Sequence, residues 1–259
     1  MTTASDAELK DLLRAALEGV GGWLDLDEAW ALHEAARQAC SRAQSPIVAE
    51  IGSYHGRSTI ALAFGLRAGG GGRVFAIDPQ RNEPDQNDKF LANIARAGVG
   101  DLIEQIRTFS HEARDRFTTA SVDVLFIDGP HVYGAVVQDV NDWTSTLKQG
   151  AVIAFNDAYW IEGVRRAIRD FVAQKRAPFR NPRWSFNTLF FDYEPSKAWS
   201  RTDSIRLARV RAFLKLGAAW TGFHAKLLKS GQAKKGTLDR DFRLMLSTLG
   251  AVLPRTTKG

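Results

Sequence analysis

Hydrophobic residues in this chain alternate between helical spacing and short continuous runs, and this alternation predicts a repeated β-α unit. Before the first run, 6–20 and 25–43 have apolar residues at helical spacing, with Asp6 and Asp25 as the expected N-caps. Short apolar runs then recur between helical segments, and we expect strands at 47–51, 74–77, 102–106, 122–127 and 151–155. Such a repeat implies a parallel sheet with helices on both faces and ligands at the carboxyl ends of its strands.

The pattern changes toward the end of the repeat. We expect helices at 134–147 and 162–174, on either side of the fifth strand. The aromatic-rich stretch 183–193 predicts one or two further strands that close one sheet edge as an antiparallel pair, which gives a mostly parallel seven-stranded sheet. The chain is expected to divide into an N-terminal helical cap (1–45), a ligand-binding catalytic domain (46–195) and a basic, largely helical extension (196–259).

The segment 48–59 is a buried strand, a glycine turn and a helix start in direct succession. Gly52 and Gly56 let the backbone turn tightly and approach a ligand, and the first amides of the following helix point into the turn. A dinucleotide fingerprint has three glycines as G-x-G-x-x-G, whereas this turn has two, preceded by the carboxylate of Glu50. Because a carboxylate repels a pyrophosphate and attracts a cation, the turn suits S-adenosylmethionine better than NAD.

Three later strands also end in polar residues. Asp78 lies 26 residues after Gly52, where a carboxylate can accept hydrogen bonds from ribose hydroxyls. Asp128 ends one strand, and Asn156 and Asp157 end the next. Since the ends of neighbouring parallel strands lie close together, these oxygen ligands predict a possible site for Mg²⁺ or another divalent cation.

Together these motifs resemble those of class I S-adenosylmethionine-dependent methyltransferases, specifically the branch with macrocin-type and rhamnosyl-type sugar O-methyltransferases. The resemblance covers about 47–193 and rests on the order and spacing of the motifs. It implies a Rossmann-like methyltransferase fold and an enzyme that transfers a methyl group to a hydroxyl of a sugar or other small hydroxylated metabolite.

The resemblance also assigns roles to individual residues. The expected cofactor contacts are Glu50, Gly52, Ser53, Gly56 and Ser58 at the methionine part, Asp78 at the ribose, Ser110 near the adenine, and Asp128. The expected metal ligands are Asp128, Asn156 and Asp157, and the expected catalytic residues are Asp128 and His131. An imidazole with a pKa near neutrality suits the removal of a hydroxyl proton, so His131 is the candidate general base.

The chain departs from the family's pattern at two of these places. Pro130 occupies a position where the family often has an acid, and Asn156 occupies one where it has His or Glu. Both departures predict weakened or absent metal binding. Arg57, at the start of the helix after the glycine turn, is expected to be a solvated charge.

Charge is distributed unevenly along the chain. Residues 196–259 contain 14 Lys and Arg against 3 Asp and Glu, a net charge of +11, whereas 1–195 has a net charge of −5. We expect the basic tail to pack as helices on the body or on a partner subunit. Docking on an anionic membrane is the second interpretation, and nucleic-acid binding is the third, because no recognised nucleic-acid module accompanies the charge.

Composition predicts a soluble globular protein in a reducing, cytoplasmic setting. With one cysteine, Cys40, it has no intramolecular disulfide framework, and its first ten residues lack the features of a signal peptide. Peripheral membrane contact through the tail and a homo-oligomer stay open as alternatives. Two rival functions also stay open: a NAD-dependent oxidoreductase, and a non-catalytic protein that keeps the cofactor pocket and docks through its tail.

Overall fold

The computed structural model describes residues 5–175 and 177–229. Its helices are α1 (Asp6–Leu17), α2 (Leu26–Ala39), α3 (Arg57–Gly69), α4 (Gln86–Ala97), α5 (Ser110–Ala113), α6 (Tyr133–Trp143), α7 (Glu162–Ala167) and α8 (Arg201–Lys229). Its strands are β1 (Ile47–Ile51), β2 (Arg73–Ile77), β3 (Ile103–Ile106), β4 (Val122–Ile127), β5 (Leu147–Phe155), β6 (Phe179–Ser185) and β7 (Thr188–Tyr193).

All seven strands form one sheet in the order β3-β2-β1-β4-β5-β7-β6. Only β7 runs against its neighbours, because it pairs antiparallel with both β5 and β6 while the other pairs are parallel. This confirms the predicted mostly parallel, Rossmann-like sheet with an antiparallel pair at one edge. The strand order reverses between β1 and β4, and ligands of such sheets bind at the carboxyl ends of the strands on either side of that point.

Helices cover both faces of the sheet, as predicted. On one face α1, α2, α3 and α4 enclose a core that includes Leu32, Leu62 and Phe90. On the other face α6, α7 and α8 enclose a second core with Trp143, Tyr159 and Phe213. Helix α8 therefore packs on the body through its buried side, which agrees with the first interpretation of the tail for the described part; 230–259 lies outside the described residues.

Several predicted boundaries were wrong. Ser5, and not Asp6, caps α1, because its side chain accepts from the amide of Glu8 while Glu8 accepts from the amide of Ser5. The predicted helix at 134–147 ends at Trp143, and β5 begins at Leu147 instead of 151. The segment 144–148 shows neither helical nor strand spacing of apolar residues, so the pairing of β5 with β4 decides its structure.

Candidate active site

Gly52 brings the end of β1 against the end of β4. Its φ is +88°, and a Cβ on it would lie 2.1 Å from the carbonyl oxygen of Asp128. Gly56, also at φ +88°, forms the N-cap of α3, and a Cβ there would lie 3.2 Å from Phe90 and Ile94 of α4. Both glycines therefore make the tight turn that the sequence predicted, and any side chain at Gly52 collides with backbone.

Glu50 lies fully buried beneath this turn. One carboxylate oxygen, Oε2, accepts a hydrogen bond from Thr59, while Oε1 has no partner among the described residues. Burial raises the pKa of Glu50 to about 8, hydrogen bonds from Ser58 and Thr59 oppose this, and the nearby charges of Asp128 and Asp78 raise it further. An unpaired carboxylate oxygen in a buried position fits a cationic ligand group, which would supply the missing hydrogen bond and favour ionisation.

Asp78 ties the glycine turn to the end of β2. Its Oδ2 accepts from the amides of Ser53 and Tyr54, each at 3.0 Å, and its Oδ1 accepts from the amide of Gln80 at 2.6 Å. The carboxylate is buried and oriented by these three donors. Gln86 Nε2 is a fourth donor, 3.5 Å from Oδ1, so a ribose hydroxyl would have to replace this long bond, and the role of Asp78 as ribose anchor stays a prediction.

Gln80 is a candidate residue that the sequence did not indicate. It is buried, it has a left-handed backbone at φ 56°, and its Nε2 donates to Ser53 Oγ at 3.1 Å and to the carbonyl of Tyr54 at 3.2 Å. Its Oε1 has no hydrogen-bond partner in the described part of the chain. Gln80 therefore joins the same two elements as Asp78 and holds a second buried acceptor at the carboxyl ends of β1 and β2.

Asp128, His131 and Asp157 converge at the ends of β4 and β5. The Nε2 atom of His131 lies 3.3 Å from Asp128 Oδ1 and 3.3 Å from Asp157 Oδ2. Its hydrogen bond with Asp128 raises the pKa of His131, and burial opposes that effect. Burial raises the pKa of Asp128, and the hydrogen bond with His131 opposes that. The imidazole thus lies between two carboxylates that orient it.

These three residues also make a candidate metal site. One ligand atom of each lies within 4.8 Å of the others. Asn156 is beside them, but its Nδ2 donates to Asp128 at 3.2 Å and its Oδ1 accepts from Thr188 at 3.0 Å. The structure thus makes His131 the third candidate ligand, a role that the sequence analysis did not give it, while ligation by Asn156 stays a prediction.

Ser110 begins α5, just after β3. Its hydroxyl donates to Asp139 of α6 at 2.5 Å, and burial raises the pKa of Asp139 to about 6. Nearby, the guanidinium of Arg81 lies 5.3 Å from the ring centroid of Phe109. The contact of Ser110 with an adenine stays a prediction, and Asp139, which orients its hydroxyl, had no recognisable sequence signal.

The expectation for Arg57 was wrong. Its guanidinium is half-buried and donates to the carbonyls of Leu17, Val20 and Leu24, the last at 2.6 Å. Arg57 therefore fixes the connection between α1 and α2 against the start of α3. Carbonyl groups at a chain turn are non-local partners, which residue type and spacing do not indicate.

Comparison with known proteins assigns this part of the chain. A protein-family model described as "Methyltransferase domain" matches residues 49–158. Over these residues the chain is similar to methyltransferases. The matched stretch runs from the third residue of β1 past the end of β5 and contains every candidate residue from Glu50 to Asp157.

Solved structures of O-methyltransferases share the fold of this chain. The O-methyltransferase TomG from Streptomyces achromogenes is 20% identical, with a TM-score of 0.52 over 74% of this chain and 92% of that chain. An O-methyltransferase from Bacillus cereus is 19% identical, with a TM-score of 0.52 over 73% and 92%. The O-methyltransferase NovP is 11% identical, with a TM-score of 0.59 over 73% and 100%. At these identities the similarity concerns the fold.

Proposed function

We propose that the protein is an S-adenosylmethionine-dependent O-methyltransferase for a hydroxyl of a sugar or another small hydroxylated metabolite. The observation that carries the proposal is the Asp128–His131–Asp157 cluster. This cluster adjoins the glycine turn, because the backbone carbonyl of Asp128 is the group that Gly52 packs against. Two of the similar structures are described as complexes with SAM or SAH, which supports the cofactor. In this proposal 46–195 is the catalytic unit, 1–45 its cap and 196–259 an extension.

The cofactor side of the site is built from the glycine turn. When bound, S-adenosylmethionine supplies an electrophilic methyl group on a sulfonium. Glu50 Oε1 offers an acceptor to a cationic group, and Asp78 and Gln80 offer acceptors at the end of β2. These groups are already held by hydrogen bonds to the turn, so binding requires little reordering of the protein.

The acceptor side is built from His131 and its two carboxylates. His131 Nε2 carries the proton that faces Asp128 and Asp157, so the free base is Nδ1, which takes the proton of the acceptor hydroxyl, and the two carboxylates stabilise the imidazolium that results. Holding the hydroxyl oxygen in line with the methyl group supplies much of the remaining rate advantage. The protein therefore acts mainly through positioning and electrostatics.

The same donor set fits a divalent cation. Asp128, Asp157 and His131 would hold it, with two oxygen ligands and one nitrogen ligand. A bound cation would lower the pKa of a coordinated hydroxyl. Deprotonation by His131 and coordination to a cation are two routes to a reactive oxygen. Activity measured in the presence of a chelator distinguishes them.

The test of the proposal is transfer of an isotope-labelled methyl group from S-adenosylmethionine to a panel of sugars, glycosides and small phenols. We expect labelled product for at least one hydroxylated acceptor, and none when its hydroxyl is replaced by hydrogen. Tight cofactor binding without transfer to any acceptor would favour the non-catalytic alternative.

Asp78→Ala is expected to weaken S-adenosylmethionine binding by about 1–3 kcal/mol, because it removes charge-assisted hydrogen bonds to the ligand and to the turn. Calorimetric titration measures the dissociation constant. Asp101→Ala removes an exposed carboxylate paired with Arg67 and serves as the matched control. An unchanged dissociation constant for Asp78→Ala would count against the ribose assignment.

Binding of the cofactor is expected to release a proton through Glu50. The pKa of this carboxyl in the free protein is about 8, so it is mostly protonated at pH 6.5, and a cationic ligand favours its ionised form. Affinity should therefore rise as the pH increases from 6 toward 8. Because the pKa of Glu50 is raised in the folded state, the stability of the free protein should fall as the pH rises from about 4.5 to about 8.

Calorimetry in two buffers of different ionisation heat measures this release at pH 6.5, where an α-amino group with an ordinary pKa of about 7.7–8.0 stays charged. Glu50→Gln should release no proton on binding. Glu28, whose buried carboxyl also has a pKa raised to about 8, gives the matched control Glu28→Gln, which should retain the release. Equal proton release by the wild type and Glu50→Gln would contradict the assignment.

Gly163→Ala is expected to lower turnover roughly a hundredfold while leaving cofactor binding nearly intact. A Cβ at Gly163, in α7, would lie 2.4 Å from the carbonyl oxygen of His131, so it would displace the loop that positions the imidazole. Gly134→Ala is the matched control, because a Cβ there meets nothing within 4 Å. Steady-state kinetics compare the two, and equal turnover would show that the loop tolerates the displacement.

A further inference from the structure

Helix α8 has two apolar sides, and only one of them packs against the part of the chain that the structure describes. The packed side places four side chains in the core: Leu207, Val210, Phe213 and Leu214. On the opposite side Ile205, Leu216 and Phe223 are 49%, 47% and 52% exposed. Packing among the described residues does not explain this second apolar side.

These three side chains lie along a single line. Leu216 and Phe223 follow Ile205 by 11 and 18 residues, which are close to three and five complete turns of an α-helix. The line is about 27 Å long at a rise of about 1.5 Å per residue. Exposed alanines, Ala212 and Ala219, occupy the positions between the large side chains.

Basic side chains flank the line on both sides. At about 100° per residue, Arg201, Arg209, Lys215 and Lys226 lie within about 80° of it, and all four are exposed. The only acidic residue in the sequence of α8 is Asp203, which is buried and hydrogen-bonded to Ser200. The outward side of α8 therefore presents an apolar line between cations, with no anion.

We propose that this outward side of α8 docks on an anionic lipid surface. An interfacial helix buries a line of apolar side chains in the acyl boundary while flanking Lys and Arg contact anionic headgroups. Among the described residues no helix is long and apolar enough to cross a bilayer, so α8 lies along the surface. The net charge of −5 on 1–195 is repelled by the same surface, which orients the catalytic domain away from it.

The arrangement fits lipid better than a second copy of the chain. A stable protein interface buries about 800 Å² on each partner around a wide apolar centre. A line one side chain wide, interrupted by alanines, is narrow for that purpose, whereas a fluid lipid surface needs no complementary pocket. The all-cationic border likewise favours a surface of continuous negative charge.

Sedimentation with vesicles tests the proposal on the full chain. We expect binding to phosphatidylcholine vesicles that contain phosphatidylserine, little binding to phosphatidylcholine alone, and loss of binding at high salt. Leu216→Asp and Phe223→Asp should each weaken the partition at least ~10-fold. Leu91→Asp, at a 49% exposed position on α4, is the matched apolar control and should bind as the wild type does.

A second pair of variants tests the flanking charge. Arg209→Glu with Lys215→Glu should weaken binding at least ~10-fold, since each basic group near such a surface is attracted to anionic headgroups and each introduced carboxylate is repelled. Arg14→Glu with Arg42→Glu makes the same charge change elsewhere on the exposed surface and should bind nearly as the wild type does. Thermal denaturation confirms that each variant is folded.

Two results would overturn the proposal. The first is vesicle binding that the α8 variants reduce no more than their controls do. The second is a wild type that does not bind anionic vesicles but has twice the monomer mass by light scattering, with Leu216→Asp monomeric. That second result would assign the outward side of α8 to a second copy of the chain.

Discussion

Gly52→Ala is expected to abolish cofactor binding and methyl transfer. The new Cβ would lie 2.1 Å from the carbonyl oxygen of Asp128, closer than any non-bonded contact allows, at a φ of +88° that costs a non-glycine residue about 1–3 kcal/mol. Relief requires that the ends of β1 and β4 separate, which moves the glycine turn and Asp128 together. Methyl transfer should fall at least ~100-fold, because a displacement of about 1 Å is enough for such a loss of rate, and the affinity for S-adenosylmethionine should fall with it.

Calorimetric titration measures this loss of affinity, and circular dichroism with thermal denaturation separates it from loss of folding. Gly134→Ala is the control, since its Cβ meets open space. A milder variant, Ser53→Ala, removes only the hydroxyl that accepts from Gln80 and should weaken binding far less. Retention of wild-type affinity in folded Gly52→Ala would mean that the cofactor does not use this turn.

His131→Ala is expected to lower turnover by about 10²–10⁴-fold, the usual contribution of a positioned general base. Its imidazole is held between Asp128 and Asp157. Truncation removes the base and also leaves the two carboxylates without the group that separates them. The dissociation constant of S-adenosylmethionine should change less than about threefold, because no described contact links His131 to Glu50 or Asp78. Single-turnover kinetics and calorimetry make the comparison.

His111→Ala, which changes an imidazole beside the predicted adenine position, is the matched control and should retain turnover. Addition of free imidazole should partly restore activity to His131→Ala if the side chain acts as a base. If turnover is unaltered, His131 is not the base. If activity is lost in the wild type with chelator, a cation contributes to the reaction.

The fold was largely predictable because two simple patterns of apolar residues describe most of its helices and strands. Buried parallel strands appear as apolar runs, and the helices between them have apolar residues at helical spacing. The prediction failed where no period exists: 144–148 changes from helix to strand, and 168–172 continues α7 as a π-helical segment. Contacts with neighbouring strands and helices, and not local preference, determine these boundaries.

The proximity of the polar residues at the strand ends was predictable for a different reason. Parallel strands end at one edge of a sheet, so polar residues that end successive strands must lie near one another. The placement of Glu50, Asp78 and Asp128 follows from this rule. Gln80 and Arg57 do not, because their partners are backbone groups in loops whose path only the folded chain defines.

Tail chemistry was predictable only in part. Composition indicated a basic helical extension, and the structure shows which side of α8 is buried and which is exposed. The sequence alone does not show which apolar residues of α8 pack on the body and which face outward. Phe213 and Phe223 are the same residue type on the same helix, but they are 7% and 52% exposed. The same helix therefore supports both interpretations.

Calorimetric titration with S-adenosylmethionine and, separately, with NADH tests the central claim most directly, each with Mg²⁺ and with chelator. We predict tight binding of S-adenosylmethionine alone, at one site per chain, and loss of that binding in Gly52→Ala. Binding of NADH, or of neither ligand by a folded sample, would contradict the assignment of the glycine turn and Glu50 to a methyl-donor site.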